Sequence, residues 1–154
     1  MNLILWRHAE AEDFAPNDSA RALTPRGQRQ AARMAEWLQG QLGESLKDWR
    51  VVASPALRAQ QTARALGLPV ETVDSIAPDA EPQSILDAAQ WPEAERDTIV
   101  TGHQPTLGRV VAHLLHGADG AVSVKKGAMW WFEVREREGR RELRLRAMVA
   151  PDNA

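Results

Sequence analysis

The sequence predicts an α/β protein, a three-layer α/β/α sandwich around a mainly parallel sheet, with an antiparallel hairpin at its C-terminal edge. Three observations carry this prediction. Short apolar runs alternate with amphipathic segments at helical spacing as far as Gly117. Thr/Ser-Pro pairs and glycines punctuate the junctions. The period then drops to two between Trp130 and Arg146.

Asn2–Trp6 is continuously apolar after Asn2, the pattern of a strand buried on both faces. A polar stretch with a proline, Glu10 to Ala22, reads as a loop. Thr24-Pro25 is a helix start, Thr as N-cap and Pro at the first helical position. Ala31, Met34, Ala35, Leu38 and Leu42 then keep helical spacing, with Gly40 and Gly43 as stops. Arg50–Ala53 is a second strand. Ser54-Pro55 repeats the capping pattern, Ala59, Ala63 and Leu66 mark a buried helix side, and Gly67 and Pro69 end it. Val70–Val73 fits a third strand, Ser84–Gln90 a short helix and Thr98–Thr101 a further strand. Pro105 opens a helix with Leu107, Val110, Val111, Leu114 and Leu115 on one side and Gly117 after it. Trp130, Phe132 and Val134 alternate with Trp131, Glu133 and Arg135; Leu143 and Leu145 alternate with Arg144 and Arg146. Glu138-Gly139 is the turn of a hairpin.

Composition narrows the chemistry. A chain of 154 residues fits one domain with a core of its own. Nineteen Lys+Arg against 21 Asp+Glu give a net charge of −2, which removes the usual electrostatic case for nucleic-acid binding. The absence of cysteine excludes disulfides, zinc ribbons, iron–sulfur clusters and a thiolate nucleophile; the absence of tyrosine excludes a phenol nucleophile. No run approaches the ~20 apolar residues of a membrane helix, and Met1–Trp6 lacks the features of a secretory signal. The expectation is a cytoplasmic protein that binds neither membrane nor nucleic acid.

Ligands of open α/β sheets bind beyond the carboxyl ends of the strands. Here the first strand ends at Arg7-His8, the second at Ser54-Pro55 with Arg58 in the following turn, and a later strand at Gly102-His103-Gln104-Pro105. If these strands are neighbours, two His and two Arg meet on one rim, a set suited to a small dianion. Taken singly, each residue has a plainer reading: His8 as a surface or core histidine, Arg58 as a solvated helix residue. His113 and His116 lack a third ligand, and no metal site is expected. The Arg135–Arg146 stretch is interleaved with Glu136, Glu138 and Glu142, follows Glu133, and reads as the solvated face of the hairpin. No P-loop or G-x-G-x-x-G occurs.

Four segments together resemble the histidine phosphatase superfamily, the phosphoglycerate-mutase-like fold. They are Leu5–Ala9 (LWRHA), Leu23–Ala31 (LTPRGQRQA), Ser54–Ala63 (SPALRAQQTA) and Thr101–Pro105 (TGHQP), in family order. The short chain and the R-H-A-E-A opening are most similar to the phosphohistidine phosphatase branch; Ala9 stands where the superfamily usually has glycine. The resemblance implies one histidine phosphatase domain over residues 1–154. It implies His8 as nucleophile, forming a phosphohistidine intermediate, with Arg7, Arg58 and His103 on the phosphoryl oxygens. It implies no metal or other cofactor, and a partner that is a phosphohistidine-bearing protein, a phosphotransfer domain or a phosphocarrier, with phosphate as product. A small-molecule phosphomonoesterase and a non-catalytic phosphate-binding module stay open as alternatives. Asp79 and Glu81 are either a general acid or solvated loop carboxylates; Asp18 and Arg21 either fringe the pocket or do not.

Overall fold

A computed structural model describes all of residues 1–154. The apolar run at the N-terminus forms β1 (Asn2–Arg7), in which Leu3 to Trp6 are fully buried. Five further strands join it: β2 (Arg50–Ala53), β3 (Glu71–Thr72), β4 (Thr98–Gly102), β5 (Met129–Arg137) and β6 (Arg140–Val149). Their order is β3-β2-β4-β1-β5-β6. The β3-β2-β4-β1 ladders are parallel and those of the hairpin strands antiparallel. The helices are α1 (Pro25–Leu42), α2 (Leu57–Arg64), α3 (Pro82–Ala89) and α4 (Thr106–His116).

Alternate residues of β1 feed two cores. Leu3 and Leu5 pack with Ile85 and Leu86 of α3 and Leu107, Val110 and Val111 of α4. Ile4 and Trp6 pack with Ala31, Met34 and Leu38 of α1 and Ala63 of α2. The sheet is therefore covered on both faces, which is why its central strands carry apolar residues at every position.

Helix α1 begins as its sequence demands: Thr24 is the N-cap, its hydroxyl accepts from the Gly27 N–H at 2.9 Å, and Pro25 is the first residue. The second Ser-Pro pair behaves otherwise. Helix α2 starts at Leu57, and Ala56 is its N-cap residue without a side-chain bond. The Ser54 hydroxyl is instead engaged by His103. Arg64 ends the helix before the predicted stops, and Gly67 turns the chain with a φ of 69°.

The apolar side of α4 is narrower than its sequence implies, since Leu115 is exposed in the last turn. Both residues of the Glu138-Gly139 turn have positive φ, as a tight hairpin needs. Trp131 and Phe132 are both buried, although they point to opposite faces, because β5 lies inside the sheet. Leu143 and Leu145 keep their alternation with Arg144 and Arg146 but gain no cover: both are about two-fifths exposed. β6 is the outermost strand, and residues 140–146 are open to solvent on either face. A register shift opposite Trp131/Phe132 leaves Arg146 as the extra residue, and its guanidinium lies 4.3 Å from the centre of the Trp131 ring.

Candidate functional site

Because β4 lies between β2 and β1, their three carboxyl ends form one rim. His8 extends the ladder past β1. Its N–H donates to the Gly102 carbonyl and its own carbonyl accepts from the Gly127 N–H, both at 3.1 Å. The His8 and His103 rings stand with centroids 5.2 Å apart. Arg58, in the first turn of α2, is 4% exposed.

His8 Nδ1 lies 2.8 Å from the Ala9 carbonyl, which only accepts, so Nδ1 carries the hydrogen. In the neutral ring Nε2 then holds the free lone pair. Burial lowers the His8 pKa to about 4, against the raising effect of the Ala9 bond; Arg58, Arg7 and Arg21 add to the lowering. His103 is lowered to about 3, first by burial, then by His8 and Arg58. Both rings are thus neutral near pH 7. His103 Nε2 is 2.7 Å from Ser54 Oγ. That hydroxyl also accepts from the Ala56 N–H at 3.2 Å; when it donates its own proton to Nε2, the neutral ring carries its hydrogen on Nδ1.

Five buried side-chain polar atoms have no hydrogen-bond partner within the protein, and three of them are Arg7 Nε, Arg58 Nε and His103 Nδ1. Other donors of these arginines are engaged by the protein. Arg7 Nη1 donates to the Val124 carbonyl at 2.8 Å. Arg58 Nη1 and Nη2 donate to the carbonyl and carboxylate of Asp18 at 2.8 and 3.0 Å.

Asp18 sits in a short 3₁₀ turn of the loop after β1 and also accepts from Arg21 Nη1 at 3.1 Å. The hydrogen bonds from Arg21 and Arg58 hold its carboxyl below the usual range. Both Asp18 and Arg21 therefore border the site. Nothing in a lone Asp and Arg three residues apart marks them; the contact to Arg58 spans 40 positions of sequence. Asp79 is exposed, and the Glu81 carboxylate lies 3.6 Å from Arg109 on α4. His113 and His116 occupy the last turn of α4.

The motif residues between the charged groups secure the frame. Thr62 Oγ1 donates to the Arg58 carbonyl at 2.7 Å and accepts from the Ala9 N–H at 3.0 Å, tying α2 to the residue after His8. Gln61 accepts from the Leu23 N–H, and Gln30 from the Glu10 N–H. Gly27 lets α1 approach the strand end: a Cβ there would stand 1.9 Å from the Glu10 carbonyl oxygen.

Comparison with known proteins agrees with this geometry. The model of the histidine phosphatase superfamily (branch 1) matches residues 3–78. The chain is 32% identical over 126 residues to a phosphohistidine phosphatase SixA homolog of Haemophilus influenzae, covering 74% of this chain and 77% of that one. It is 33% identical over 125 residues to the phosphohistidine phosphatase SixA of Escherichia coli, covering 76% of each. Its structure matches that of a protein histidine phosphatase SixA solved with tungstate, with a TM-score of 0.78, 28% identity and 99% of each chain covered. With the motifs in order along the chain and their side chains on one rim, this protein belongs to the histidine phosphatase superfamily.

Proposed function

We propose that this chain is a metal-independent phosphohistidine phosphatase, which removes the phosphoryl group from a histidine on another protein. One observation carries the reading. Three buried nitrogens, Arg7 Nε, Arg58 Nε and His103 Nδ1, lack protein partners beside a neutral imidazole with a free Nε2. Buried donors are nearly always paired, and an anionic phosphoryl group supplies the acceptors. The similarity to the proteins named for this activity supports the choice of substrate.

In this reading His8 Nε2 attacks phosphorus in line with the leaving nitrogen of the substrate imidazole. The N–P bond of the substrate breaks as the His8–phosphorus bond forms, and the departing ring takes the electron pair. Arg7 and Arg58 neutralise charge on the equatorial oxygens, and the His103 Nδ1–H donates to one of them. Water then attacks phosphorus, phosphate leaves, and His8 recovers its lone pair. An imidazole leaves more readily than an alkoxide, because its ring is protonated near neutral pH. Such a site does not depend on a carboxylic acid at Asp79 or Glu81, and Glu81 faces Arg109.

The test compares kcat/KM on a phosphohistidine protein and on a simple alkyl phosphate, and traps labelled enzyme in acid and alkali. The expected result is a preference for the phosphohistidine protein, with an acid-labile label on His8. His8→Ala retaining a tenth of wild-type turnover would refute covalent catalysis. Equal rates on both substrates, with alkyl phosphate turnover lost in Asp79→Asn or Glu81→Gln, would favour a small-molecule phosphomonoesterase.

A further inference from the structure

A groove of about 450 Å³ lies beside the site, outside the residues assigned to it. It runs between the first turns of α1 and the C-terminal 3₁₀ turn, Pro151–Asn153, and its lining is polar or charged apart from Pro151. Arg26, Arg29 and Arg33 line it from one face of α1. Arg29 forms no ion pair, Arg33 donates to the Pro151 carbonyl at 3.3 Å, and Arg26 has Glu10 at 3.7 Å. The groove is coupled to the catalytic rim through two backbone links. Gln30, in its wall, accepts from the N–H of Glu10, two residues past His8. Gly127, which donates to the His8 carbonyl, packs so tightly on Pro151 that a Cβ would stand 2.7 Å from its ring. Just before Gly127, Lys125 and Lys126 are exposed and unpaired.

Five cations therefore gather along one side of the site, in a chain whose net charge is −2. Asp152 is the acidic residue of the groove. Arginines at i, i+3 and i+7 on one helix face repel one another, so the arrangement costs stability in the isolated chain. The arc is also broad and exposed. A small phosphorylated molecule held by Arg7 and Arg58 would bring nothing to meet it. A protein would, if acidic side chains surround its phosphohistidine.

We propose that the Arg26–Arg29–Arg33 face, with Lys125 and Lys126, docks an acidic face of the phosphohistidine-bearing protein. The proposal rests on the phosphatase reading above. The arc steers encounter and holds the partner, while the chemistry stays with His8, Arg7, Arg58 and His103.

The test uses three substrates: free N-phosphohistidine, a short phosphohistidine peptide flanked by glutamates, and the same peptide with glutamines. At low salt the wild type should favour the acidic peptide about 10-fold in kcat/KM, mainly through KM, as expected for rim charges. Arg29→Glu with Lys126→Glu should erase that preference and leave turnover of free N-phosphohistidine unchanged. If the reversed pair also loses activity on free N-phosphohistidine, the neutral pair Arg29→Gln with Lys126→Gln is judged by the same criterion. Equal use of both peptides by the wild type, or a preference that survives in the variants, would overturn the docking proposal while leaving the phosphatase reading intact. No phosphate release by the wild type from any of the three or from a phosphohistidine protein would overturn both.

Discussion

Acidification should destabilise this fold well above the range in which carboxylates protonate, and the two site histidines are the cause. Above pH 6.5 both rings are neutral in the folded and the unfolded chain, so neither affects stability. Below 6.5 the unfolded chain takes up two protons that the folded chain refuses, because burial holds His8 at about 4 and His103 at about 3. Stability then falls with falling pH until the folded rings titrate. Each ring contributes about 1.4 kcal/mol per pH unit across that window, so the pair should cost about 4 kcal/mol between pH 7 and pH 5. That is a large part of the roughly 5–15 kcal/mol of an ordinary domain. The depressed carboxyls of Asp18 and Glu71 act in the same direction at lower pH, losing their contribution as pH falls from the ordinary carboxylate range towards their lowered folded values. Urea unfolding at pH 7 and pH 5 measures the effect on the wild type and on His8→Asn with His103→Asn. The double variant should lose most of the pH dependence. A wild type equally stable at both pH values, or a double variant as acid-sensitive as the wild type, would refute the argument.

The same lowering has a kinetic counterpart. Attack needs neutral His8, so the enzyme limb of kcat/KM should stay flat through pH 5.5 and fall only towards about 4; a midpoint near 6.5 would show an unperturbed ring. Thr62→Val removes the acceptor of the Ala9 N–H and should cost about 1–3 kcal/mol in thermal or urea unfolding, with a loss of kcat. Gly27→Ala should cost about 1–3 kcal/mol or more, since its Cβ meets backbone that cannot rotate away; unchanged stability would mean that α1 moves freely from the strand end. Chelator should leave kcat/KM on a phosphohistidine substrate unchanged, because two Arg and a His supply the charge that a metal would otherwise bring; recovery of a chelated, inactive sample by a divalent ion would count against the mechanism.

The sequence carried the main elements because their signals are local. The apolar run of β1 and the Thr24-Pro25 start of α1 each depend on a few adjacent residues, and each formed as read. That the strand ends of His8, Ser54 and His103 meet is a different matter. It depends on β4 entering between β2 and β1, a choice of pairing made across some 50 to 100 residues, and the motifs only made it the natural arrangement. The Ser54-Pro55 pair is locally ambiguous. A serine before proline looks the same whether its hydroxyl caps a helix or meets a histidine 49 positions away. Asp18 carries no local signal because its partner, Arg58, is brought to it by folding. In β6 alternation was present, but burial requires a covering layer, and the outer half of the hairpin has none.

His8 is held by a backbone hydrogen bond on each side, to Gly102 at the end of β4 and Gly127 in the turn before β5, at the centre of a six-stranded sheet. Its main chain therefore opens to solvent only when the whole sheet does, and its amide should exchange hydrogen as slowly as the deepest core. Arg58 is braced from the other direction by a loop whose Asp18 is more than half exposed. The pocket has an immobile wall and a yielding one: any adjustment to an incoming phosphoryl group must be made by the loop of residues 10–23, while the attacking nitrogen stays as fixed as the fold itself.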